Sequence, residues 1–149
     1  MQLKLTEKME EVLIMAANGL REAEIARRLG ISRQAVNKTL REARSRLTLL
    51  FVALADVFYS DIVKINVNKG YAVLRNRQTG TKLYMIYVPG KGPRVVFRNN
   101  IDCTLEKTLC DDIIYSCSRL GILDECKETK PASEQLSVLV KRILDKLEE

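Results

Sequence analysis

Apolar residues recur along the chain first at helical spacing, then in alternation, then at helical spacing again. Met9, Val12, Leu13, Ala16 and Ala17 form one stripe, with Thr6 placed to cap it and Gly19 to end it, so a helix is predicted from Thr6 to about Asn18. Leu20 opens a short second helix that runs to about Leu29 and closes on Gly30. Ser32 caps a third, which starts at Arg33, meets no Gly or Pro before Gly70, and ends where the pattern changes near Tyr59 to Ile62. Its Val36, Leu40, Ala43, Leu47, Leu50, Leu54 and Val57 alternate at spacings of four and three, the repeat of a coiled-coil seam.

From Ile62 to Asn100 the period becomes two, and β-branched and aromatic residues dominate. Four strands are predicted, at Ile62–Asn66, Tyr71–Arg75, Lys82–Val88 and Arg94–Arg98, and an antiparallel meander is the simplest connection because the loops between them are too short for a crossover helix. Helical spacing then returns, with Thr104 as cap, Leu105, Leu109, Ile113, Cys117 and Leu120 on one face, and Gly121 as terminator. Residues 127–132 read as a loop, and Ser133 begins a last helix carrying Leu136, Val140, Ile143 and Leu147. The expected fold is α+β: three N-terminal helices with a long third one, a small antiparallel sheet, and C-terminal helices. The division is 1–47, a linking and dimerising helix 48–61, and a basic module 62–149.

Charge adds a second layer to this picture. The net +6 splits into +2 over residues 1–61, from ten Lys/Arg and eight Asp/Glu, and +8 over 62–101, from eight Lys/Arg and no acid. Residues 102–149 carry seven basic and eleven acidic residues, or −4. An acid-free stretch of that length points to a polyanionic partner or to a solvated sheet face. Leu47 to Phe58, the most apolar stretch, is too short to cross a bilayer and contains Asp56, and no secretory signal pattern opens the chain, so a cytoplasmic, nucleoid-associated protein is expected.

The strongest motif runs from Glu24 to Leu40. Ala26 lets two helices cross closely, Gly30 turns the chain, Ile31 fills the space between helices, Ser32 caps the next helix and Val36 anchors it; these are the mechanical parts of a helix-turn-helix. Together with Leu5-Thr6-Glu7, the Gly19-Leu20 turn and the trailing Ala43-Arg44 and Leu47, the segment 5–47 resembles sigma factor region 4, the LuxR-type regulators and the archaeal Tfx-type regulators. The resemblance implies a DNA-binding domain whose third helix enters the major groove.

With Val36 and Leu40 turned inward, Arg33, Gln34, Asn37, Lys38 and Arg41 are the expected base readers, because amides pair with adenine and Arg or Lys with guanine. Ser32, Arg27, Arg28 and Arg44 are expected to hold the motif and the phosphate backbone. Leu47, Leu50, Phe51, Leu54, Val57 and Phe58 are the expected dimer seam, with burial against the chain's own C-terminal part as the alternative.

The basic strands have three readings: a wing on flanking DNA with Tyr71, Tyr84, Tyr87 and Phe97 as stacking platforms, a scaffold, or an anionic-effector pocket. The first two are preferred because no Gly-rich phosphate loop is present. Cys103, Cys110 and Cys117 recur every seven residues, which on one helix separates neighbours by about 10.5 Å and argues against a metal. A stripe of small buried residues is expected instead, with disulfides involving Cys126 and a redox sensor as alternatives. With no His and no nucleophile–base pattern, neither an enzyme nor a cofactor is expected.

The expectation is a homodimeric, sequence-specific regulator on double-stranded DNA, with the transcription machinery as a further partner. An architectural DNA-binding protein of low specificity is the alternative.

Overall fold

The computed structural model describes residues 3–128 and 133–149. The first helix, α1 (Glu7–Ala17), starts where the Thr6 hydroxyl accepts the Met9 N–H, and α2 spans Glu22–Leu29. Leu20 does not open α2 as the spacing suggested. Its N–H donates to the Met15 carbonyl while Gly19 sits at φ +92°, so both residues close α1 in a left-handed turn. Gly30 ends α2 at φ +65°, a conformation that costs a residue with a Cβ about 1–2 kcal/mol.

Helix α3 (Arg33–Val57) is a single 25-residue element, capped by the Ser32 hydroxyl on the Ala35 N–H. Val36, Leu40, Ala43, Leu47, Leu50, Phe51 and Ala55 are buried along it. It turns into β1 through Tyr59, whose φ of +50° is the only positive value at a non-glycine among the described residues.

The strands are β1 (Ser60–Asn66), β2 (Tyr71–Asn76), β3 (Lys82–Val88) and β4 (Gly92–Phe97), antiparallel in the order β1-β2-β3-β4. The predicted meander is therefore present. The outer strands begin two residues earlier than the alternation implied; Pro93 is accommodated because β4 lies at the sheet edge, where a missing N–H leaves no ladder bond unmade. The turn after β2 is held by the Asn76 side chain, which accepts from the N–H groups of Gln78 and Thr79.

Both faces of the sheet centre are covered: Tyr71 to Leu74 and Leu83 to Val88 are all buried. Tyr84 reaches Glu148 at the end of the chain, whereas Tyr87, an odd number of residues away and so on the opposite face, reaches Glu10 of α1. The sheet is thus a middle layer, with α3 running along β1 and, further on, α4 (Lys107–Arg119) against β3 and α5 (Ser133–Leu147) against β2.

Thr104 does not cap α4. Its N–H and hydroxyl both donate to the Asp102 carboxylate in a turn before the helix, which begins only at Lys107. Cys103 consequently lies outside the helix and folds back to form a disulfide with Cys110, their Cα atoms 5.7 Å apart. Cys117 pairs with Cys126, which lies in a 3-10 turn, Asp124–Lys127. The expectation of a stripe of free cysteines on one helix is corrected: it assumed a continuous helix from Thr104, and burial of all four sulfurs is achieved by bridging. Leu136, Val140, Ile143 and Leu147 of α5 are buried as the spacing required; of the predicted loop, residues 129–132 lie outside the described residues.

Candidate nucleic-acid interface

The three N-terminal helices close on one another through Val12, Leu13, Ile25, Val36, Leu40 and Leu47, each at most 3% exposed. Ile31 and Leu29 pack on this core from the turn. Because α3 buries Val36 and Leu40, the opposite side of its first turns is left to solvent, and Arg33, Gln34, Lys38 and Arg41 are all exposed there. Arg27 and Arg28, in the last turn of α2, are exposed as well.

Helix α3 has no acidic residue of its own in its first turn to offset the partial positive charge at its start. The start of α2 is different. Glu22 and Glu24 occupy its first turn, and Glu24 reaches back toward the Arg21 N–H at 3.4 Å, which makes this end poorly suited to holding phosphate.

Two of the expected DNA contacts stand differently from their neighbours. Asn37 is half-buried, and its amide donates to the Glu22 carboxylate at 2.9 Å, tying α3 to α2 rather than standing free as a reader. Arg44 is half-buried too, with an Nε that has no hydrogen-bond partner among the described residues. Arg21, at the start of α2, and Arg46, beyond the first turns of α3, are exposed as well, although neither was among the expected contacts.

Residues 3–47 match the family model of sigma-70, region 4. This N-terminal segment is a DNA-binding helix-turn-helix of the region 4 type, and the match ends inside α3, at the buried Leu47. No curated protein matches the chain, and no solved structure does.

Beyond the region 4 segment, the basic strands are occupied within the chain. Lys82 and Arg98 pair with Glu148, and Arg98 also with Asp145. Lys91 and Arg94 hold the buried Asp112 carboxylate at 2.6 and 3.1 Å, and Arg77 pairs with Asp61 at 2.9 Å. Lys64 donates to the Glu149 carbonyl and Lys69 to the carbonyls of Ala17 and Gly121. Burial and the nearby Lys127 lower the Lys69 pKa.

Of the eight basic residues between 62 and 101, only Arg75 lacks such a partner among the described residues. The reading of Tyr71, Tyr84 and Tyr87 as stacking platforms is likewise corrected: all are buried, at 6%, 0% and 1% exposure, and a base has no ring face to lie on. Phe97, 40% exposed, stands edge-on to Phe58 at 6.2 Å.

The expected dimer seam is also largely used internally. Leu47, Leu50 and Phe51 are buried, and Leu54 and Phe58 pack on the chain's own core. Of the six seam residues only Val57 is open, at 69% exposure. The apolar residues that α3 does present are Leu49 at 68% and Val52 at 51%, which the four-three pattern had assigned to the solvent side. Helix α3 makes its contacts with the first two helices and with β1, into which it leads.

No helix among the described residues is long and apolar enough to cross a membrane.

Proposed function

We propose that this chain is a sequence-specific transcription regulator that binds double-stranded DNA as a homodimer, with the start of α3 in the major groove. The observation that carries the reading is the exposed set Arg33, Gln34, Lys38 and Arg41 on the outer side of α3, in a segment that matches sigma-70, region 4. These side chains supply guanidinium, ammonium and amide donors, of which each well-formed bidentate base contact contributes about 1–3 kcal/mol of discrimination. Arg27 and Arg28 supply phosphate contacts, and Asn37 acts through Glu22 by keeping the two helices in register.

Dimerisation is assigned to the open face of α3, Leu49, Val52 and Val57, instead of the inner seam. A two-fold protein reads an inverted repeat, with half-site centres about 34 Å apart or a multiple of that. The reading involves no catalytic step, places the protein on chromosomal DNA in the nucleoid, and leaves the transcription machinery as its further partner. The internal pairing of the basic strands speaks against an architectural role, which would need that charge free for phosphate.

Selection from a random DNA library tests this directly, with Lys38→Ala and Arg41→Ala proteins in parallel and oligomer mass measured for wild type and Leu49→Glu. A palindromic motif that relaxes at defined positions in the two α3 variants, and a dimer mass lost in Leu49→Glu, are expected. Binding without an enriched motif would replace the regulator reading by the architectural one.

A further inference from the structure

We propose that the cavity between α4, the Asp124–Lys127 turn and α5 is a binding site for a small organic cation carrying an apolar group. The cavity has a volume of about 460 Å³, within the size range of small-molecule sites. Its floor is apolar, built from Ile114, Leu136 and Leu139. Tyr115, 46% exposed, also lines it and brings an aromatic ring of the kind that attracts ammonium groups.

The charges around this floor are unequally satisfied. Asp112 is held by Lys91 and Arg94, and Glu125 by Arg142. Asp111, half-buried, and Glu128, exposed, form no ion pair among the described residues, yet both line the cavity. An apolar floor, one aromatic ring and two carboxylates without an ion pair among the described residues complement an alkyl- or arylammonium ion, and disfavour a carboxylate or phosphate.

The wall formed by the 3-10 turn is fixed by the Cys117–Cys126 disulfide, and Cys126 itself lines the cavity. One residue further, Lys127 donates to the Asn18 side chain at the end of α1, and Asn18 donates in turn to the Arg119 carbonyl of α4. A ligand in this cavity therefore lies against the same elements that hold the helix-turn-helix to the sheet module.

The test is titration of the full-length oxidised protein with hexylammonium, followed by calorimetry and by methyl NMR of Ile114 and Leu139, with hexanol and hexanoate as matched neutral and anionic probes. Saturable hexylammonium binding that shifts these methyls is expected, with hexanol weaker and hexanoate not bound. Asp111→Asn and Tyr115→Ala, each checked for an unchanged melting transition, should each weaken binding by about fivefold. Absence of saturable binding, equal or tighter binding of hexanoate, or an undiminished affinity in Asp111→Asn would overturn the proposal. The readout requires no DNA, so its failure and that of the regulator reading are separate results.

Discussion

The Glu10 carboxylate accepts a hydrogen bond from the Tyr87 hydroxyl at 2.7 Å, joining the first helix of the DNA-binding segment to the middle of the sheet. The same carboxylate accepts from the Gly90 N–H at 2.7 Å, and the Tyr87 oxygen accepts from the Leu5 N–H at 2.7 Å. Burial, and then the bond to Glu10, push the Tyr87 hydroxyl well above its ordinary pKa, so it stays a donor.

Tyr87→Phe removes this hub and leaves the Leu5 N–H without its acceptor. Loss of about 1–3 kcal/mol is expected, read as a lower denaturant midpoint. Because α3 is continuous from the region 4 segment into β1, both parts should unfold in one transition by circular dichroism and by tyrosine fluorescence. Separate transitions would show that the two parts are coupled only loosely.

Stability should fall at both ends of the pH scale for reasons centred on one cluster. The Lys82 ammonium, then the Tyr84 hydroxyl, hold Glu148 below its ordinary pKa of 4.5. A depressed carboxylate contributes stability above its unfolded pKa and loses it as pH falls through the folded one, so melting should weaken below pH 4.5. Burial, then the bond to Glu148, raise Tyr84 from 10.0 to about 12, and its contribution is lost as pH climbs through that interval. In Glu148→Gln the acid limb of the melting profile should flatten; an unchanged limb would assign acid sensitivity to other carboxylates.

Both disulfides close short loops, with sequence separations of seven and nine residues, and each should contribute about 2–3 kcal/mol by restricting the unfolded chain. Thiol titration of the oxidised protein should find no reactive cysteine when native and four after reduction in denaturant. Four thiols reacting in the native, unreduced protein would refute the bridges. Reduction should lower the melting temperature of the shared transition.

Tyr59 holds a left-handed conformation at the α3–β1 corner with its side chain 64% exposed. Tyr59→Gly relieves that backbone and should stabilise the chain by roughly 1 kcal/mol, seen as a higher melting temperature. A decrease would mean that the ring contributes more through packing than the backbone costs.

The helix-turn-helix was legible in the sequence because its constraints are local. Ser32 must cap, Gly30 must turn, and Val36 and Leu40 must share a face, whatever the rest of the chain does. The meander was legible for a similar reason: alternation sets the strands, and loops of a few residues admit only antiparallel neighbours.

What depends on distant partners was decided by the tertiary structure. The same four-three stripe serves a second copy or the chain's own core, and only the folded chain shows Leu50 and Phe51 buried within one molecule. The run of eight basic residues reads as a phosphate surface until the acidic C-terminal helices fold over it, placing Glu148 between Lys82 and Arg98 and Asp112 between Lys91 and Arg94. Periodicity records which side of an element avoids water; it carries no record of which apolar or charged surface, tens of residues away, will cover that side.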